Sequence, residues 1–233
     1  LGNGKLGFLL WGEKNTLHIT VGCGDLWDHR GGMPIRDRQN WEAICEALHR
    51  KDQAEINRIF ARDKAGTVTC PSLIPVGRII ITLPEGSVLL RHELTLETGV
   101  TEVIFKTPEG IEKCLRFCCD MLCRDGLVCQ GVPEKAKVRL VPTWDIFHGQ
   151  HFKQYELCEH NSLEERGFSP PERLNTGAVQ GFRQEFPEDP ACFAVMKQIG
   201  NEFSFSLFRG NAPLKDYAEK SLPSFAEVFA SGR

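Results

Sequence analysis

"NTLHITV", residues 15–21, sets Leu17, Ile19 and Val21 against Thr16, His18 and Thr20. A strict two-residue alternation of apolar and polar side chains belongs to a strand with one face in a core and the other toward water. The pattern recurs in both directions from this stretch. "SVLLRHELTLE" (87–97) sets Val88, Leu90, Leu94 and Leu96 on one face and Leu89, Arg91, Glu93 and Thr95 on the other. Thr98-Gly99 is a turn signal, and "TEVIFKT" (101–107) completes a hairpin. "GIEKCLRFCC", "DGLVCQGV", "AKVRLVP", "VQGFRQEF", "CFAVMKQIG" and "EFSFSLFRG" follow with short connections. The count is about a dozen strands with no alternating βαβ units, which predicts a mainly antiparallel two-sheet sandwich. No internal repeat points to a propeller or solenoid.

Two regions leave the pattern. Residues 38–62, "RQNWEAICEALHRKDQAEINRIFAR", place Trp41, Ile44, Cys45 and Leu48, then Ile56, Ile59 and Phe60, at helical spacing. One or two inserted helices are expected there. The polar stretch 149–176 reads as an excursion from the sandwich, and 213–233, weakly helical, as the start of a linker. The organisation expected is therefore one sandwich domain over 1–212, with its insertion at about 38–62, followed by that linker. The start at Leu1, with a strand pattern already running by Lys5, is expected to follow a trimmed segment that would have carried any leader with it.

Composition narrows the function classes. Apolar residues make up 41% of the 233 and charged residues 25%, enough for a sizeable core. A net charge of −3, with no block of Lys or Arg, gives no field to draw in nucleic acid or an anionic membrane, and no apolar run approaches the roughly 20 residues of a membrane span. Neither is an expected partner. The ten cysteines contain no C-x-x-C pair, so no structural metal or cofactor is expected. Several lie inside strand patterns, as in "KCLRFCCDMLC", where Cys118 and Cys119 must point to opposite faces. They read as small buried hydrophobes and reduced thiols, which favours a cytoplasmic setting.

Two clusters carry candidate chemistry. "GDLWDHRGG" (24–32) gathers Asp25, Trp27, Asp28, His29 and Arg30 between glycines. A tryptophan face stacks on the C–H patches of a sugar ring, and flanking Asp, His and Arg fork onto hydroxyl pairs. The same residues could equally be a hydrogen-bonded loop that holds its own turn. Asp25 and Asp28 are also two carboxyls on one loop, the ingredient of glycoside hydrolysis at roughly 5 to 10 Å separation, but neither has a visible reason for raised acidity. The second cluster, "PTWDIFHGQHF" (142–152), offers Trp144, Asp145 and His148, with His151 one helical turn from His148. Gly149 speaks against the helix that would align those two histidines for a metal. Trp11, in a strand, and Trp41, on a helical stripe, read as core. No G-x-S-x-G is present, and no cysteine has a basic setting with a partner histidine.

"LGNGKLGFLLWG" (1–12) followed by "GDLWDHRGG" resembles the opening of the N-terminal domain of glycoside hydrolase families 65 and 95, with Gly2-Asn3-Gly4-Lys5-Leu6-Gly7, Asp25-Leu26-Trp27 and Gly31-Gly32 in the corresponding places. "LIPVGRIIITLPEGSVLLRHELTLETGVTEVIF" (73–105) adds Pro75, Gly77, Arg91, Leu94 and Leu96, and "GAVQGFRQEFPEDPACFAVMKQIG" (177–200) is similar to later paired strands of that domain. "LWDHRGG" departs from the "LWSGG" form of family 95. The resemblance implies a galactose-mutarotase-like β-supersandwich that precedes a C-terminal helical (α/α)6 barrel of the same polypeptide. In that family the barrel supplies the catalytic carboxylates, so this chain is expected to hold none and to line a glycan site from one side. A self-standing carbohydrate-binding module and an aldose-epimerase-like enzyme are the alternatives. The latter needs converging His and Glu side chains, and His92 with Glu93, adjacent on a strand, point to opposite faces.

Overall fold

Alternation along Thr16–Cys23 is realised residue by residue: Leu17, Ile19, Val21 and Cys23 are buried, and the residues between them are partly open. The computed structural model describes residues 1–30, 39–60, 72–120, 126–148, 163–164 and 167–231. In chain order the elements are β1 (Leu6–Glu13), β2 (Thr16–Cys23), β3 (Trp27–Asp28), α1 (Trp41–His49), α2 (Gln53–Phe60), β4 (Ser72–Leu73) and β5 (Gly77–Thr82). Next come β6 (Val88–Thr95), β7 (Val100–Lys106), β8 (Glu112–Cys119), β9 (Gly126–Gln130), β10 (Lys137–Pro142) and α3 (Thr143–His148). The chain continues with β11 (Glu172–Asn175), β12 (Val179–Gln184), β13 (Ala191–Ile199), β14 (Glu202–Gly210), α4 (Leu214–Ala218) and α5 (Phe225–Ser231).

Among the described residues the strands form a four-stranded sheet, β1-β2-β5-β10, an eight-stranded sheet, β11-β12-β13-β14-β9-β8-β7-β6, and the small pair β3-β4. Pairing within the two main sheets is antiparallel. Their inner faces share one core: Leu17, Ile19, Ile79 and Ile81 from the smaller sheet with Phe105, Phe117, Phe203 and Phe205 from the larger. Phe8 meets Phe205 edge-on across the interface at 6.3 Å between centroids. Each phenylalanine so buried contributes roughly 2–3 kcal/mol. The chain is a mainly β, two-sheet sandwich with a short helical insertion.

That insertion belongs to a separate compact unit, residues 29–72, distinct from the sandwich of 1–28 and 73–233. Asn40 caps α1 by accepting from the Ala43 N–H at 2.8 Å, and Lys51, at φ +55°, turns the chain into α2. Among its described residues Ala47 and Ile59 are buried; Trp41, expected in a core, is 74% exposed.

The described part of the segment expected to begin a linker, 213–231, is folded onto the sandwich. Alternation gives the larger sheet a second apolar face, and the tail covers it. Val100, Cys118 and Val128 lie against Phe225 and Val228 of α5; Ala191, Phe193 and Val195 lie against Leu214 and Tyr217 of α4. Ser204 Oγ donates to the Pro223 carbonyl at 2.6 Å, holding the connection between the two helices. Cys118 and Cys119 divide as their adjacency requires, the first under α5 and the second in the main core. Leu163 and Phe168, within the polar excursion, also reach that core.

On β6 the apolar positions Val88, Leu90 and Leu94 are exposed, as is Leu96 just after it, and Leu89 is the residue that packs on the core. The reason is position. β6 is the outermost strand of its sheet, and a register shift between Leu89 and Arg91 interrupts its pairing with β7.

Candidate functional site

The loop after β2 is built by its backbone. Leu26 N donates to the Cys23 carbonyl and Ile74 N to the Leu26 carbonyl, so Leu26 is pinned inward. Alternation then turns Trp27 outward and Asp28 inward. Trp27 is 38% exposed, and its indole N–H donates to the Gly24 carbonyl at 2.9 Å, which fixes the ring over its own turn. Asp25 is exposed and lies 3.6 Å from the Lys5 ammonium, a surface pair worth at most about 1 kcal/mol. Asp28 is 3% exposed. One carboxylate therefore faces water and the other the interior, and the two do not flank a common space. His29 and Arg30 begin the second compact unit, the former exposed and the latter half-buried. Asp25, Trp27 and Asp28 belong to the first unit, and His29 and Arg30 to the second.

At the second cluster, Trp144 is 8% exposed and lies in the main core, so its ring offers no stacking face. Asp145 is held in a bidentate pair by Arg173, Nη1 and Nη2 each donating at 2.7 Å. That contact raises the Arg173 pKa above its usual value. The pair ties α3 to β11. His148 is the last residue of α3, and His151 lies outside the described residues.

A third group, on the outer face of the four-stranded sheet, was hidden by the continuous apolar run "GFLLWG". Leu6 and Phe8 set the phase of β1 with their burial, and that phase puts Leu9 and Trp11 on the opposite face. The register then brings Trp11 beside His18 on β2, with Leu9, Thr20 and Arg78 in one row across β1, β2 and β5. Trp11 is 40% exposed, and its ring stacks on His18 at 4.2 Å and 16°. The Arg78 guanidinium sits 5.1 Å from the same ring and donates from Nε to Thr20 Oγ1 at 3.3 Å. Partial burial holds Arg78 below its usual pKa, and among the described residues no carboxylate lies within ion-pair distance of it. Because β1 is the sheet edge, His18 and Arg78 both approach Trp11 from the strand side. The signal in the sequence was the phase of alternation: Trp11 falls in step with His18, Thr20 and Arg78.

The thiols of the sandwich are chemically quiet. Cys23, Cys118, Cys119, Cys129 and Cys192 are buried; burial pushes Cys192 up to about 12 and Cys129 well above the usual thiol value. Neither is a nucleophile near neutrality. Among the described residues no group of three or more His, Cys, Asp or Glu side chains is arranged to hold a metal ion. His92 and Glu93 are both exposed on β6. No family model matches the chain, and no curated protein matches it.

Proposed function

We propose that this sandwich is a non-catalytic, carbohydrate-contacting domain of a glycoside hydrolase. The observation that carries the reading is a pair of tryptophans, Trp11 and Trp27, whose rings are held partly open by specific contacts where an ordinary sandwich would bury or replace them. An open indole face is the group that stacks on sugar C–H surfaces, and the Arg78 guanidinium over Trp11 is a forked donor for hydroxyls. On this reading a C-terminal (α/α)6 domain of the same polypeptide supplies the acid and base. The opposed environments of Asp25 and Asp28 support leaving catalysis out of this chain. The reading as a self-standing carbohydrate-binding module is favoured by one feature, the Trp11, His18 and Arg78 platform, which a single sheet completes.

Titration calorimetry of the chain against a panel of neutral and acidic oligosaccharides tests the proposal. Binding without release of reducing sugar is expected, with Trp27→Ala or Trp11→Ala weakening it about tenfold, or about 1.4 kcal/mol. Absence of binding across the panel, or binding indifferent to both substitutions, overturns it.

A further inference from the structure

We infer that two copies of this chain pair through β6, edge to edge and antiparallel, about a two-fold axis at His92. The inference goes beyond glycan contact and does not rest on it. β6 ends the eight-stranded sheet, and every residue from Leu90 to Thr95 except its pairing side toward β7 is open. At Leu89 the edge is taken, because the Leu89 N–H donates to the Lys14 carbonyl at 2.8 Å. Beyond that point, among the described residues, no strand occupies the outer edge. A run of unpaired backbone donors and acceptors of this kind is a template for strand addition.

The side chains specify what adds. Residues 90–94 read Leu-Arg-His-Glu-Leu, which is complementary to itself when reversed. Antiparallel pairing centred on His92 sets Arg91 opposite Glu93 of the second copy, and Leu90 opposite its Leu94. Both leucines are nearly half exposed in the single chain, and each gains an apolar cross-strand neighbour. The charges choose the register. Within one copy Arg91 Nε lies 2.6 Å from Glu93 Oε1, Glu93 pairs across the ladder with Glu102, and Arg116 reaches Glu102 at 3.3 Å. The two neighbouring carboxylates thus have cations on this face, and the second copy brings one more arginine against Glu93. Centring the axis on Arg91 would set arginine against arginine, and centring it on Glu93 would set glutamate against glutamate. Only the His92-centred register matches opposite charges, and being two-fold it closes at two copies, with no edge left over on β6 to extend a fibre.

Sedimentation equilibrium of the 233-residue chain is the test. A mass about twice 26.2 kDa is expected. Arg91→Glu and Glu93→Arg alone should each give the single-chain mass, and the double exchange R91E/E93R should restore the doubled mass, because it re-creates the match in reverse. Both substituted positions are exposed, so the variants are expected to melt with the parent. A cross-check that needs no charge change is His92→Cys: a His92-centred pair brings the two Cα atoms to about 4.5–5.5 Å, within disulfide reach, so oxidation should give a covalent dimer that the parent does not form. A single-chain mass at all concentrations, a dimer indifferent to R91E, or a double exchange that stays monomeric would each overturn the inference.

Discussion

The Gln180 side chain pairs with Val138 as a strand would: its Nε2 donates to the Val138 carbonyl at 2.7 Å, and its Oε1 accepts from the next inward amide, Leu140 N, at 2.9 Å. Gln180 lies on β12 of the larger sheet, and Val138 and Leu140 on β10, the edge of the smaller one. One amide thus satisfies two outward groups of a sheet edge and couples the two sheets without a further strand. Gln180→Ala leaves a partly buried donor and acceptor unmet, and a loss of about 1–3 kcal/mol is expected. Gln180→Glu keeps the acceptor but sets a carboxylate oxygen against the Val138 carbonyl, so it should cost at least as much. Urea midpoints of the two variants, at unchanged slope, measure both.

Gly131 follows β9 at φ +91°, where a Cβ would run into the Cys114 carbonyl on β8. Conformation and space both exclude a side chain. Gly131→Ala is expected to destabilise on the order of 3 kcal/mol, against about 1 kcal/mol for the same change at Gly177, where positive φ alone strains the side chain and the space around it is open. Thermal melts of the pair separate the two costs.

Buried thiols set an alkaline limit on stability. Cys192 is raised from 9.0 to about 12 by burial, so the folded state holds its proton where the unfolded state has lost it. A folded pKa above the unfolded value gives stability that is complete below pH 9 and falls as pH rises toward 12. Cys192 alone removes about 1.4 kcal/mol by pH 10, and Cys129, displaced the same way, adds to the loss. Urea unfolding at pH 7, 9 and 10 should be flat over the first interval apart from other groups, then decline. Cys192→Ala should flatten that decline.

The tail is a lid on an apolar sheet face, and removing it should show as chemistry. Arg116 lies 5.5 Å from the Phe225 ring and 5.9 Å from Phe229, clamping α5 over Cys118. A chain ending at residue 212 is expected to bind a hydrophobic dye and to let thiol reagent reach Cys118 without denaturant, neither of which the parent should do. Val228→Asp, which buries a charge beneath the same helix, should produce the same exposure of Cys118.

Local periodicity made the sandwich legible because alternation is a property of neighbouring residues. β2 is the direct case, and the division of Cys118 from Cys119 follows from adjacency alone. What lies opposite each face is not local. Val88, Leu90, Leu94 and Leu96 share an apolar side, yet β6 is an edge strand and those positions stay open. Trp11 and Trp41 look like core by type, but nothing covers them fully. The reverse holds for 213–231: its weak helical pattern became secure packing because the outer face of the larger sheet is itself apolar. In the loop after β2, Trp27 was identifiable as a tryptophan between polar groups, whereas the burial of Asp28 depended on the inward pinning of Leu26.

Arg78 separates a binding role of the outer sheet face from a structural one. Its guanidinium lies 5.1 Å from the Trp11 ring and uses only Nε for a described protein partner, Thr20 Oγ1. If this face binds glycans through the forked donors, Arg78→Lys should keep the fold and the net charge while losing the planar pair of N–H groups. Affinity is expected to fall about tenfold with the urea midpoint nearly unchanged, because a partly exposed cation–π contact contributes only about 0.5–1 kcal/mol. Thr20→Val tests the same point from the other side: it removes the hydroxyl that orients Arg78 and leaves the cation in place. A smaller loss of affinity in Thr20→Val than in Arg78→Lys would assign the recognition to the guanidinium itself, and equal loss of stability and affinity in both would make the platform structural.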